Sequence, residues 1–342
     1  MEQVLLKEGK LLNEDGTLTE AGYAFGLVKE YNRVALGRNL NKRKEWDYYA
    51  FLNEENGVCI TISNLSYLAL FSLTYLDFKI NKYLTKTYIK LFPKGKKFIL
   101  PKDSSTGNIN ISERNYSFSV RHVDGERVIT VIMKNFANYD AVKVSLKVRE
   151  TTDKSMVIAT PFEKPHQFYY NQKKNLLVGA GSIEIGRRGI NIPSCLGVLD
   201  WGRGIWSRDN TWYRSSLNYV DENGNNVGFN LGYGFGDTSK ATENMFFFNK
   251  EAFKLDDVEF IFTNDEKGKI DFIKEVKVCS KSKDIDLTFT PLINRHDKTN
   301  AIVVRTNQNQ VFGRFNGTIT TGGKTYEIKN ALGFLEKVHN VY

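Results

Sequence analysis

From Glu45 onward, apolar and polar positions alternate with a period of two in run after run. EWDYYAFL, GVCITIS, YLALFSLTYLDF, GNINIS, YSFSVRHV, RVITVIMK and AVKVSLKVRE are rich in β-branched and aromatic residues and are parted by Asn, Asp and Gly. This spacing predicts an antiparallel meander. Residues 80–92 fit two periods: Ile80, Tyr83, Leu84, Tyr88 and Leu91 suit a helix, whereas Thr85, Thr87 and Ile89 with Pro93 beyond favour a strand. The pattern pauses at Thr151–Lys154 and resumes through SMVIATPF, QFYYNQ, LLVGAGSIEIG, CLGVLDWG, TWYRSSLNYV, VGFNLGYGFGD, MFFFN, VEFIF, IDFIKEVKV, IDLTFTPLI and QVFGRFNGTI. The hairpin GTITTGGKTYEI turns at Gly322-Gly323. One segment before the meander has the helical period. Thr17 and Glu20 stand at capping-box spacing after Asp15-Gly16, and Leu18, Ala21, Phe25, Val28 and Tyr31 form a stripe, predicting an amphipathic helix near 18–32, the longest of the chain.

Two series of strands with few helices predict an all-β protein of two tandem antiparallel β-barrel-like domains. The division falls near residue 155, with the N-terminal helix and first barrel in 1–155 and the second barrel in 156–342. A hydrophobic content of 41% with 25% charged residues suits a globular protein, and no apolar run is long enough to span a bilayer. The charged N-terminus lacks the pattern of a secretion signal, and Cys59, Cys195 and Cys279 are scattered and odd in number. A reducing, cytoplasmic setting is expected. With four dispersed histidines and no CxxC, neither a metal nor another cofactor is implied. The net charge is +9, and eight lysines with no acid lie between Lys79 and Lys102. Such a stretch can attract anions, but without a nucleic-acid motif it reads as a solvated edge, and no specific nucleic-acid partner is expected.

Costly side chains concentrate in LGVLDWGRGIWSRDNTWYR, which holds Trp201, Trp206 and Trp212 with Asp200 and Arg203. Gly202 and Gly204 permit a sharp turn or close packing there. A carboxylate among aromatics has a raised pKa suited to donating a proton, so Asp200 is a candidate acid or base, with a salt bridge to Arg203 as the structural alternative. Asp237 and Glu243 are further candidate carboxylates, although Asp237 also suits a turn cap before Thr238-Ser239. His166, beside Tyr169, Tyr170 and Asn171, could act as acid or base or be a structural histidine. In EWDYY, alternation puts Glu45, Asp47 and Tyr49 on one face and Trp46 and Tyr48 on the other. One face should be wet or site-facing, which makes Trp46, Asp47 and Tyr49 candidate substrate contacts, with Trp46 and Tyr48 in the core and the acids on the surface as the structural alternative. Gly232, Gly234 and Gly236 fail the dinucleotide fingerprint and instead let a side chain or ligand lie against the backbone; Tyr233 between them and Asn244, which follows Glu243 among aromatics, are candidate contacts.

Read in order, DGTLTEAGYA, EWDYY, SMVIATPF, FYYNQK, LDWGRGIW, GFNLGYGFGD, ATEN, KLDDV, FTPLINR, VFGRFNG and GFLEKVHN resemble the uncharacterised family called domain of unknown function 2804, over nearly the whole chain. EWDYY and LDWGRG are similar, more remotely, to elements of carotenoid 1,2-hydratases and AttH-like proteins, although no His-Glu separates Asp200 from Trp201 here. That resemblance implies two lipocalin-like (calycin) β-barrels with a small-molecule site in or between them. The expected function is acid–base chemistry on a small organic molecule. Asp200 would be the acid or base, Arg203 would hold an anionic group or tune Asp200, and Trp201, Trp206, Trp212 and Tyr170 would form walls. Two alternatives stay open: a lipocalin-type binding protein, and a carbohydrate-active enzyme pairing Asp200 with Asp237 or Glu243.

Overall fold

A computed structural model describes residues 2–300 and 305–341. Among them the period-two runs form two large antiparallel sheets. The first, of twelve strands, passes from Lys82–Leu91 through Leu68–Asp77, Asn56–Asn64 and Lys44–Leu52 to Arg188–Ile205 and Phe168–Ile185. It continues to Tyr139–Arg149, Glu126–Phe136, Tyr116–Val123 and Ile109–Ser112, with Met156–Pro161 and Gly22–Ala24 added beside Phe168–Ile185. The second, of nine strands, has Asn226–Tyr233, Asp209–Val220, Lys324–Val341 and Arg305–Thr321 as consecutive neighbours near its middle.

The sheets do not part at residue 155. Phe168–Ile185 pairs with Tyr139–Arg149, and Arg188–Ile205 pairs with Lys44–Leu52, so the early strands of the second series complete the first sheet. The change of sheet falls at residues 206–208, immediately before Asp209–Val220. The first sheet curls as a half-barrel around a core that includes Phe51, Phe71, Phe118, Val131, Ile183 and Trp201. The second covers its own core with Phe229, Phe289, Phe315 and Leu335. Each such side chain stabilises its core by about 1.5–3 kcal/mol relative to exposure. A third apolar layer, including Ala50, Val198, Phe312 and Phe334, joins the two sheets back to back.

The basic segment is the strand Lys82–Leu91, and the last hairpin turns at Gly322 and Gly323, with φ of 58° and 73°. The helix expected over 18–32 is absent. Thr17 donates through N and Oγ1 to Asp15, at 2.9 and 2.6 Å, while Glu20 pairs with Lys29 at 2.6 Å, so both capping residues are engaged elsewhere. Gly22–Ala24 instead adds to the edge of Met156–Pro161, and Lys29–Glu30 pairs in parallel with Gly9–Lys10. Backbone partners offered by the sheet override the local helical period. The helical segment near the N-terminus lies later, as a 3₁₀ stretch at Arg33–Lys42 that is capped by Asn32 and kinked at Gly37.

Candidate functional site

The back-to-back seam is where the costly side chains converge. Along Arg188–Ile205 the positions facing the seam are Val198, Asp200, Gly202 and Gly204, while Trp201 and Arg203 point into the half-barrel. Register places Asp200 directly opposite Lys173 on one neighbouring strand and Tyr48 on the other. Gly202 leaves its position empty so that the Trp46 indole can cross it; a Cβ there would lie 2.7 Å from the ring. From the second sheet come Trp212, Arg214, Asn230 and Glu336, with Glu243 just before the strand Met245–Phe248.

Asp200 is fully engaged. Its Oδ1 accepts from Asn171 Nδ2 at 2.7 Å and Trp46 Nε1 at 3.2 Å, and its Oδ2 accepts from Lys173 Nζ at 2.6 Å and from Arg214 Nη1. The same Lys173 ammonium lies 3.8 Å from Glu243 Oε2. Arg214 Nε donates to Asn230 Oδ1 at 3.2 Å, and Asn230 returns a bond to the Glu243 carbonyl at 2.8 Å. All four charged groups are buried. Burial opposes the Asp200 charge, yet the Arg214 and Lys173 cations outweigh it and hold the carboxyl down, at about 2. This corrects the expectation of a raised Asp200. The raised carboxyl is Glu243: burial pushes it up, Lys173 and Arg214 oppose, and the Asp200 anion adds to the rise. Burial likewise depresses Lys173, with Arg214 adding to the effect.

An aromatic cage abuts this cluster. Trp46 packs on Trp206 at 4.7 Å between ring centroids and on Tyr169 at 5.5 Å, and Phe235 closes against Tyr169 at 4.8 Å and Trp212 at 5.3 Å. Burial, then the Asp200 and Glu243 charges, keep the Tyr169 phenol protonated far above its ordinary range. Trp212 Nε1 donates to Glu336 at 3.2 Å, and Gln310 ties that carboxylate to the Tyr48 hydroxyl. Arg214 Nη2 and Trp206 Nε1 are buried donors without an acceptor among the described residues. Further along the same seam opens a cleft of about 580 Å³ lined by Cys195, Leu196, Asn218, Tyr219 and Tyr326. Between cleft and cluster, Val198 and Ser216 border a void of only about 10 Å³.

The structure thus brings together Asp200, Glu243, Trp46, Tyr169, Trp206 and Trp212. Other expected residues lie elsewhere. Arg203 does not meet Asp200; strand alternation sends it to the opposite face, where Nη1 lies 2.8 Å from Asp47 and the guanidinium covers Trp201 at 4.3 Å. Tyr49 and Tyr170 share that interior, with the Tyr170 hydroxyl bonded to the Lys29 backbone. Tyr233 stacks on Tyr213 at 4.6 Å, beside the second sheet's core. Asn244 braces the chain beside Glu243 through Gly232 N at 2.6 Å and the Asp256 carbonyl at 2.7 Å. Asp237 is exposed and accepts from Ser239 N at 2.9 Å as a turn cap. His166 sits in a turn at φ 65°, near Gly16 rather than the cluster. Sequence reasoning missed Lys173, Arg214 and Glu336, because only the register between distant strands reveals what they oppose.

The chain belongs to the family described as Domain of unknown function (DUF2804), which matches residues 2–342. No curated protein matches it in sequence. Among solved structures, it is similar to a putative AttH from Nitrosomonas europaea, with 14% identity and a TM-score of 0.53 over 86% of this chain and 92% of that one. It is also similar to kievitone hydratase from Nectria haematococca, with 10% identity and a TM-score of 0.52 over 97% of this chain and 98% of that one. These likenesses concern the fold, and they agree with the all-β architecture expected from the strand pattern and with the lipocalin-like form that the resemblance implied.

Proposed function

We propose that this member of the family is an acid–base enzyme of hydratase, isomerase or lyase type acting on a small unsaturated molecule at the seam between its sheets. The observation that carries the reading is the pair of buried carboxyls, Asp200 and Glu243, which contact one ammonium and are driven in opposite directions by their surroundings. Two carboxyls set apart in this way divide naturally into a proton donor and a fixed anion. The donor is Glu243 rather than Asp200. In the hydration direction Glu243 protonates one carbon of a double bond, and the positive charge on the other carbon is steadied by the Glu243 carboxylate so formed and by the faces of Trp46 and Tyr169, while Asp200 holds Lys173 and Arg214 in place. Water then adds to that carbon and returns its proton to Glu243. A substrate oxygen can take the unpartnered donors Arg214 Nη2 and Trp206 Nε1. The 580 Å³ cleft lies on the same seam four residues up the strands from Asp200 and Arg214, or about 13 Å, and a substrate entering there has to part the packed layer around Val198 and Ser216 to reach the cluster. A hydratase among the proteins of similar fold supports the choice of chemistry.

The burial of all four charges also favours a second reading, in which the cluster is a latch between the sheets of a binding protein. A carbohydrate-active reading has less support. Asp237 is an exposed turn cap, and the ammonium contacts of 2.6 and 3.8 Å hold the nearest Asp200 and Glu243 oxygens closer than the roughly 6.5–9.5 Å of inverting pairs. A retaining pair at about 5 Å would need a free nucleophile, whereas Asp200 is bonded to Lys173, Arg214, Asn171 and Trp46.

Wild type, Glu243→Gln and Asp200→Asn should be screened by thermal shift against metabolites, lipids and oligosaccharides, with mass spectrometry on each stabilising compound. The expected result is a ligand that stabilises wild type and Glu243→Gln but gains or loses water, or isomerises, only with wild type. Turnover by Glu243→Gln at the wild-type rate would refute the assignment. A ligand bound by all three and altered by none would establish the carrier.

A further inference from the structure

The seam leaves the basic stretch unexplained, and the structure joins it to a second basic segment. The loop after the strand Lys82–Leu91 and the 3₁₀ segment Arg33–Lys42 are fastened to one turn, residues 64–67. Phe92 N donates to the Tyr67 carbonyl at 2.8 Å, Asn64 Nδ2 to the Phe98 carbonyl at 2.8 Å, and Ser66 Oγ to the Arg43 carbonyl at 2.7 Å. Arg33 also reaches across to the Leu100 carbonyl. Neither 33–44 nor 89–99 contains an acid. Glu113 pairs with Lys90 and Lys97, but Arg38, Lys42, Lys94 and Lys96 form no ion pair among the described residues.

This cationic collar is also apolar. Val34 is 82% exposed, Phe92 68% and Leu91 65%, with Ile89, Ile99 and Leu40 exposed beside them. Large apolar side chains gathered in water on a soluble fold mark an interaction surface. Lysines alone would suit any polyanion. The aliphatic tips narrow the choice, because nucleic-acid phosphates give them no apolar partner, whereas the boundary between lipid headgroups and acyl chains receives them while the headgroups meet the lysines.

We propose that the collar formed by residues 33–44 and 89–99 docks this protein on an anionic phospholipid surface, with Phe92, Leu91, Ile99 and Val34 entering the interface and Arg38, Lys42, Lys94 and Lys96 meeting the headgroups. The contact proposed is peripheral, made by exposed side chains of a strand end, the loop after it and a 3₁₀ segment. This inference is independent of the chemistry assigned to the seam.

The test is co-sedimentation of the full chain with vesicles of phosphatidylcholine alone or mixed with phosphatidylserine. Binding should require phosphatidylserine and weaken with added salt. Lys94→Ala/Lys96→Ala should bind about 25-fold more weakly, from roughly fivefold per lysine. Phe92→Ser/Ile99→Ser should lose at least about tenfold through lost apolar burial. Both variants change exposed positions and should keep the wild-type melting temperature. Absence of binding to the mixed vesicles, or equal binding to phosphatidylcholine alone, overturns the proposal. So does full binding by the Phe92→Ser/Ile99→Ser variant, or capture of a duplex oligonucleotide in place of vesicles.

Discussion

Asp200 and Glu243 show how strongly position, rather than residue type, decides what a carboxyl does. Both are buried in the same seam, yet Asp200 receives two cations while Glu243 only approaches Lys173. Their substitutions should therefore differ sharply. Asp200→Asn leaves Lys173 and Arg214 without their principal anion and should cost about 3–5 kcal/mol. Glu243→Gln replaces a carboxyl whose pKa burial raises and which only approaches Lys173, at 3.8 Å, so it should cost less than about 1 kcal/mol. The pH dependence has a definite sign. A folded pKa of about 2 against an ordinary 3.8 stabilises the fold above pH 3.8, and that contribution is lost as pH falls towards 2. Other carboxylates held low, such as Glu113 and Glu150, lose their contributions in both proteins, so wild type should shed more stability through this window than Asp200→Asn, as urea unfolding at stepped pH will show. Equal losses on substituting the two carboxyls would mean that Glu243 is ionised in the fold. The density of tryptophan around Asp200 was legible in the sequence. Its protonation was not, because Lys173 and Arg214 lie 27 and 14 positions away and reach it only through strand pairing.

Strands were the most legible elements, since a period of two survives in almost any sheet, and the two-residue Gly322-Gly323 turn follows from local chemistry alone. The segment 18–32 shows the limit: its capping signals are real hydrogen-bonding residues, but Thr17 and Glu20 spend them on Asp15 and Lys29. The glycines of GYGFGD were legible as places where something lies against the backbone, and for Gly232 that something is Glu243. A Cβ at Gly232 would sit 2.8 Å from both Glu243 Oε1 and the Tyr213 carbonyl. Gly232→Ala should expel the carboxyl and strain the strand pair, costing about 1–3 kcal/mol. Activity should fall further than in a variant equally destabilised elsewhere in the second sheet. Retention of wild-type stability in a denaturant titration would show that both the Glu243 side chain and the strand pairing at Tyr213 adjust without cost.

At the scale of the molecule, the two series of strands visible along the chain are not the two sheets. The pause at Thr151–Lys154 looks like a boundary because composition there breaks the alternation, but hydrogen bonding carries the first sheet on to Ile205. Alternation reports that a strand exists and says nothing about which strand lies beside it. Fragments expose the difference. Residues 1–155 lack both Phe168–Ile185 and Arg188–Ile205, so Tyr139–Arg149 and Lys44–Leu52 each lose a neighbour and the half-barrel core loses Ile183 and Trp201. Residues 1–207 retain every strand of that sheet and expose only its seam face. The shorter fragment should show no cooperative melt and rapid proteolysis. The longer one should melt cooperatively, at a lower temperature than the full chain and with a tendency to self-associate through the uncovered Tyr48, Ala50 and Val198. A cooperative transition in 1–155 would show that the first strand series folds without the strands that follow it, and would restore residue 155 as a true domain boundary.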